Sequence, residues 1–243
     1  MGDGDVAPGP GGGRVTTPVV YGIDEDRAQP PEAPWTAARR RASGRYPIDP
    51  HGFDPHLRDL LLPLVGVGLR YEVDHPEHLP ERGPALLVAN RAMGLVEPLV
   101  LTLAVRTARR RRLRIVGVPD WPVVGDVLHK LGGIGAYHQD LSALLRADHL
   151  AAVPLGSTWL PGRVGTPPLG LLVAALGYPV IPVAVLPGGP LGLPLRPWRV
   201  LVGQALDVAG LADEFGPDDP LGAAELAEAA REGVRSVIES AVG

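Results

Sequence analysis

Short continuous apolar runs alternate along this chain with stretches whose apolar residues recur every three or four positions. The runs Ala85–Ala89, Ile115–Val118, Leu150–Val153 and Val180–Val185 do not alternate with polar residues, which predicts strands buried on both faces of a sheet. Leu69–Val73 and Ile134–Tyr137 are shorter strand candidates, and Trp198–Leu206 alternates as a strand toward an edge. Helices are predicted between them. Phe53-Asp54-Pro55 starts one, with Asp54 as N-cap and Pro55 at the first helical position. It runs through Leu60-Leu61-Leu62 toward Val65, with Pro63 as a kink. Pro98 to Ala108 is apolar nearly all round and should be buried. Pro122 to Leu131 closes at Gly132-Gly133, Asp140 to Arg146 takes Asp140 as its cap, and Leu169 to Leu176 ends at Gly177. Asp219-Pro220 opens a final helix with Ala227, Ala230, Val234, Val237 and Ala241 as its apolar stripe. Strands alternating with helices predict an α/β sandwich: one domain, a mixed but mostly parallel central sheet, and helices on its faces.

Composition sharpens the boundaries. The chain has 243 residues, with 32 Gly and 28 Pro. Residues 1–50 are rich in both and lack periodicity, so they read as a disordered arm preceding a domain over 51–243. The arm has no apolar run suited to a leader peptide, and no spanning segment is expected. The chain is 45% hydrophobic and only 5% aromatic, so its core must be built from Leu, Val and Ala. No cysteine is present. That excludes disulfides, thiolate metal sites and a thiol nucleophile, and fits a cytoplasmic setting. A net charge of −4 argues against nucleic acid as a partner.

Candidate chemistry is sparse. Arg106, Arg109, Arg110, Arg111, Arg112 and Arg114 crowd nine residues at the end of a helix. Such density suits anionic head groups at a membrane surface, with Leu57–Leu69 as an apolar companion; the ordinary alternative is a helix C-terminus that favours cations. His75, Glu77 and His78 are metal-ligand types, but the Pro-flanked turn reads as a surface connector, so no metal is expected. Gly156-Ser157-Thr158 follows a strand without the nucleophile-elbow pattern. Gly66-Val67-Gly68 and Gly133-Ile134-Gly135 lack the third glycine of a dinucleotide fingerprint. The turn after Ala85–Ala89 is where ligands sit in α/β sheets. It offers Asn90, Arg91 and Glu97.

The order of these pieces resembles the phospholipid/glycerol acyltransferase family, over about Phe53 to Val242. His78-Leu79-Pro80-Glu81-Arg82-Gly83-Pro84 is similar to the family's connector. Ala85–Asn90 resembles the strand leading into its Asn-His-x4-Asp block, and Asp120-Trp121 to Leu131-Gly132 its next stretch. Ala152–Ser157 stands where the family has Phe-Pro-Glu-Gly-Thr-Arg. Pro179-Val180-Ile181-Pro182-Val183 matches its Val-Pro-Ile-Ile-Pro-Val block. The resemblance implies a general-base histidine, an aspartate orienting it, and Glu-Gly and Arg elements holding a phosphate-bearing acceptor. Here Arg91 takes the histidine place and Val96 the aspartate place, beside Glu97. Leu155 replaces the glutamate; Ser157 and Thr158 replace Thr and Arg. Arginine cannot act as the base, since guanidinium has no acceptor lone pair.

The expectation is therefore a catalytically degenerate member, binding an acyl or phospholipid ligand through Asn90, Arg91, Glu97, Gly156, Ser157 and Thr158. It would have no cofactor and sit in the cytoplasm or on the inner membrane face. The alternative is an active acyltransferase, taking acyl groups from acyl-CoA or acyl carrier protein, with His138 as a relocated base. His129 and His149 are weaker candidates for that role.

Overall fold

The computed structural model describes residues 33, 35–36, 39, 42–43, 49, 51–90, 96–118, 124–155, 169–189, 196–216 and 219–242. Seven strands form one sheet: β1 (Tyr71–Asp74), β2 (Ala85–Ala89), β3 (Leu113–Val116), β4 (Gly133–Ile134), β5 (Leu150–Pro154), β6 (Val180–Leu186) and β7 (Trp198–Val202). Their spatial order is β1-β7-β6-β2-β5-β3-β4. Every neighbouring pair is parallel except β6 with β7. The expected α/β sandwich on a mostly parallel sheet is the architecture observed.

The α-helices around the sheet, among the described residues, are α1 (Pro55–Val65), α2 (Val96–Arg109), α3 (Val124–Lys130), α4 (His138–Arg146), α5 (Leu169–Val173), α6 (Ala209–Phe215) and α7 (Pro220–Val242). Because side chains alternate across a strand, β2 feeds two cores. Ala85, Leu87 and Ala89 meet Val100, Leu101, Ala104 and Val105 of α2. Leu86 and Val88 share the opposite core with Leu141, Leu144 and Leu145 of α4, Leu171 and Leu172 of α5, and Ala223 to Val234 of α7. Both faces of β2 are covered, which is why its sequence shows no alternation.

Several boundaries move. The strand expected over Ile115–Val118 is Leu113–Val116, and Leu69–Val73 becomes Tyr71–Asp74. β4 is two residues long instead of four. Helix α1 has the expected cap, Asp54 accepting from the Leu57 N–H at 2.8 Å, and it continues through Pro63 to Val65. Asp140 is not a cap: α4 begins at His138, after Tyr137, which makes no side-chain capping bond. Asp140 lies 3.6 Å from His51 instead. The strand expected at the edge, β7, lies one position in, with β1 outside it. The stretch expected to continue to Leu206 keeps only an isolated bridge from Leu206 to Val180. Helix α6 falls in a region for which no element was expected. The arm expected over 1–50 lies almost wholly outside the described residues.

Candidate functional site

The centre of the sheet is β2, between β5 and β6, and its carboxyl end is where the chain leaves for α2. Asn90, the residue after β2, is buried. Its Nδ2 donates to the Val185 carbonyl at 3.0 Å, and its Oδ1 accepts from the Val185 N–H at 2.6 Å. The side-chain amide thus extends the β2–β6 ladder by imitating one more peptide unit. On the other side, the Leu155 N–H donates to the Ala89 carbonyl at 2.7 Å. Three strand ends are held at one level.

A small cavity of about 20 Å³ opens above them, lined by Ala89, Asn90, Glu97, Pro98, Leu101, Ile115, Ala152, Val153, Pro154 and Val185. That is room for about one water. It lies on the α2 face, against that helix's first turns. Its walls are almost wholly apolar. Glu97 is the one ionisable group in the lining and is only 2% exposed. At the second position of α2, its carboxylate sits where the helix dipole favours negative charge. No histidine, serine or threonine is among the described lining residues.

The sequence-predicted residues divide accordingly. Asn90 and Glu97 come together at the cavity. Val96 is half-buried against the α2-side core, so it is Glu97 that brings a carboxylate to the cleft. Leu155 is buried in the opposite core. Arg91, Gly156, Ser157 and Thr158 lie outside the described residues. His138 opens α4 just after β4, the outermost strand. Three strand spacings separate β4 from β2, about 14 Å, and His138 does not line the cavity. A second, open recess of about 590 Å³ lies near the β6–β7 connection, lined in part by Glu72, Arg196 and Arg199. Arg199 there is paired with Asp74 at 2.7 Å.

The arginine run is turned largely inward. Arg111, Arg112 and Arg114 are buried. Arg111 donates to the carbonyls of Gly83 at 2.8 Å and Asp148 at 2.9 Å, bracing the approaches to β2 and β5. Arg112 and Arg106 grip the two oxygens of Asp59 at 2.7 and 3.0 Å. Arg114 pairs with Asp49 at 2.6 Å and lies over the Phe53 ring at 4.3 Å. Arg109 donates to the Leu79 carbonyl at 2.8 Å and reaches the exposed Glu81. Arg110 alone of the six is exposed as a whole residue, in a left-handed turn with φ of 55°. A contiguous surface patch of six arginines is therefore not what the fold presents: local charge density was legible, but the partner acids come from positions 49 and 59.

Arg58, in α1, is the residue sequence reasoning missed. It is 1% exposed and stacks toward Phe53 at 5.6 Å. Burial pushes its pKa down to about 9; the attraction of Asp59 opposes this, and Arg114, Arg112 and Arg106 add to it. The sequence signal was a charged pair, Arg58-Asp59, inside an otherwise apolar helix.

No family model matches the chain. An uncharacterized protein of Mycobacterium leprae is 31% identical over 82% of this chain and 69% of its own length. Uncharacterized proteins of Mycobacterium tuberculosis and Mycobacterium bovis are each 29% identical, over 92% of this chain and 77% of theirs. Among solved structures, the 1-acyl-sn-glycerophosphate acyltransferase PlsC of Thermotoga maritima is similar to 75% of this chain and 81% of its own, with 18% identity and a TM-score of 0.49.

Proposed function

The chain belongs to the family of the uncharacterized mycobacterial proteins just described, and we propose that it is an acyltransferase-type protein that binds an acyl or phospholipid ligand without transferring it. The observation that carries this reading is the lining of the cleft above Asn90: apolar walls, one carboxylate, and no imidazole among the described residues. The motif order Ala85–Asn90, Ala152–Ser157 and Pro179–Val183 supports the acyltransferase type. Arg91 in the histidine place supports the loss of turnover. Acyl transfer to a hydroxyl needs a base whose pKa lies near the working pH, a group typically worth 10²- to 10⁴-fold in rate. Glu97 is the one group in the described lining that could accept a proton. Asn90 has both side-chain polar atoms engaged by Val185 and serves to fix the strand ends.

Peripheral contact with an anionic membrane on its cytoplasmic face belongs to the same proposal. Among the described residues no helix is long and apolar enough to cross a membrane. Leu64 and Val67 are 63% and 79% exposed where α1 ends, and Arg110 is exposed as well. These, rather than the buried arginines, would meet lipid.

The test has two arms. Purified protein is extracted with organic solvent and the extract analysed by mass spectrometry; a co-purifying acyl lipid is expected, and Leu101→Trp, which fills the cleft, should deplete it. Acyl-CoA or acyl carrier protein is then offered with lysophosphatidate or glycerol phosphate. No transfer is expected. Robust turnover by the wild-type protein would overturn the non-catalytic reading. If His138→Ala abolished that turnover while Arg91→Ala spared it, the relocated base would stand.

A further inference from the structure

The connector between β1 and β2 carries a cluster that the cleft does not use. His75 has a left-handed backbone, with φ of 57° and ψ of 48°, and caps a 3-10 turn over Pro76–His78. In a 3-10 turn residues three apart eclipse. The rings of His75 and His78 accordingly stack, with centroids 5.3 Å apart and planes 17° from parallel. The Glu77 carboxylate comes within 3.1 Å of His75 Nδ1. Ligand atoms from all three residues lie within 4.8 Å of one another.

The hydrogen bonds decide which atoms are free to coordinate. His78 Nδ1 is 2.8 Å from the Val202 carbonyl. A carbonyl only accepts, so Nδ1 carries the proton and Nε2 keeps its lone pair. An imidazole whose second nitrogen is held by a carbonyl is oriented as in metal sites, where such outer partners set the tautomer. His75 presents the nitrogen nearer the carboxylate: its Nδ1 lies 3.1 Å from Glu77 Oε1, a separation suited to two ligand atoms on one tetrahedral ion, in the tautomer that carries its proton on Nε2. Two imidazole lone pairs and one carboxylate are thus gathered on one exposed turn.

We propose that His75, Glu77 and His78 form a binding site for a divalent cation of the zinc type. Two nitrogens and one oxygen suit zinc and its borderline neighbours over magnesium or calcium, which prefer all-oxygen shells. Solvent would complete the four positions. The site lies beyond the carboxyl ends of β1 and β7, which run opposite to β2, so it is at the end of the sheet away from the cleft above Asn90. A bound cation would hold the β1–β2 connector against β7 through the His78–Val202 bond. Its role is to fix that connector, and it stands or falls independently of the ligand proposed for the cleft.

The experiment is calorimetric titration of the full chain with zinc after chelator treatment, paired with thermal unfolding. One zinc per chain is expected, with a rise in Tm as zinc saturates. The exposed Glu77→Gln should weaken binding at least tenfold, and the double variant His75→Gln with His78→Gln should abolish both uptake and the rise in Tm. Far-UV circular dichroism of the zinc-free proteins checks that each variant is folded. Uptake of wild-type strength in the folded double variant would place any zinc elsewhere and overturn the proposal. So would the absence of saturable uptake by the wild-type protein below about 1 mM zinc.

Discussion

At the carboxyl end of β2 the protein buries an amide and a carboxylate among apolar walls; around the start of β3 it buries guanidinium groups against Asp49 and Asp59. Both regions looked functional in the sequence, and for the same reason: polar residues where a hydrophobic core is close. The structure separates them. Around Asp49 and Asp59 the ion pairs tie the segment of residues 49–59 to Arg106 of α2, to Arg112 and to Arg114 of β3, so charge fastens one part of the chain onto another. In the cleft, Asn90 does the fastening through one backbone unit, leaving Glu97 facing a small apolar space. Polar density marks the scaffold here, and polar scarcity marks the place where the proposed ligand would bind.

The largest expected effect tests the scaffold half of this contrast. Asp59 accepts from Arg106 and Arg112 and is itself nearly inaccessible. Asp59→Ala leaves a buried guanidinium without its carboxylate. Breaking a buried pair from one side costs about 3 to 5 kcal/mol. Urea unfolding should show a loss of that size, and a loss under 1 kcal/mol would mean that the cluster does not hold α1 in place.

Next in size is the amide at the cleft. Asn90→Ala strands the buried N–H and C=O of Val185 together, each worth about 1 to 3 kcal/mol when left unsatisfied, so about 2 to 6 kcal/mol in all. Asn90→Asp should be no better, because its second oxygen would face the Val185 carbonyl. If Asn90→Ala kept full stability but lost a co-purifying lipid, Asn90 would be a ligand-binding residue and the division between fastening and binding would fail.

How much of this was legible follows from where each signal resides. The strands β2, β5 and β6 could be read because burial on both faces leaves a run of apolar residues, a local property. The α1 start was legible for the same reason: Asp54 and Pro55 act within one turn. Helix α4 was misplaced because Asp140 is a good cap by type, whereas the chain enters the helix from the extended Tyr137 without using a side chain. The tying roles of Asn90 and of the arginines were not legible because their partners are distant: Val185 is 95 positions from Asn90, and Asp59 is 53 from Arg112. A local window shows that a guanidinium is present but not that a carboxylate from another element has already neutralised it.

A smaller effect probes the rim of the cluster. Arg109 reaches Glu81, whose side chain is 79% exposed, and the Leu79 carbonyl. Exposed pairs are worth about 0 to 1 kcal/mol. Arg109→Ala should therefore change stability little. This bears on membrane association, because Arg109→Ala and Arg110→Ala can be combined without unfolding the protein, whereas changing the buried Arg111 would confound the result. Liposome co-sedimentation that falls in the double variant and with rising salt would support a lipid contact at Arg110. Unchanged sedimentation would remove the arginine run from that contact.

The smallest expected change is at Arg58, where the cluster is not uniformly stabilising. Arg58 is fully buried and lies close to three other arginines, with Asp59 as the one attraction. At pH 7 it still carries its charge, since a pKa of about 9 lies above that pH. Its burial is therefore a cost, met only in part by Asp59 and by the Phe53 ring. Replacing a buried charge with an apolar side chain of similar volume is often neutral or stabilising. Arg58→Met should accordingly leave stability unchanged or raise it by up to about 1 kcal/mol, in contrast to the loss at Asp59. The sign with pH follows by linkage. The folded protein releases this proton from about pH 9, while the unfolded chain holds it up to the higher, ordinary arginine value, so the unfolded state binds more protons across that interval. The Arg58 contribution to stability should rise with pH across that window, and any advantage of Arg58→Met should shrink. Urea unfolding of both proteins at pH 8 and pH 10 measures the difference directly. A loss of several kcal/mol in Arg58→Met at pH 8 would show that Arg58 is an indispensable tie of the cluster, and not the charge that the cluster tolerates.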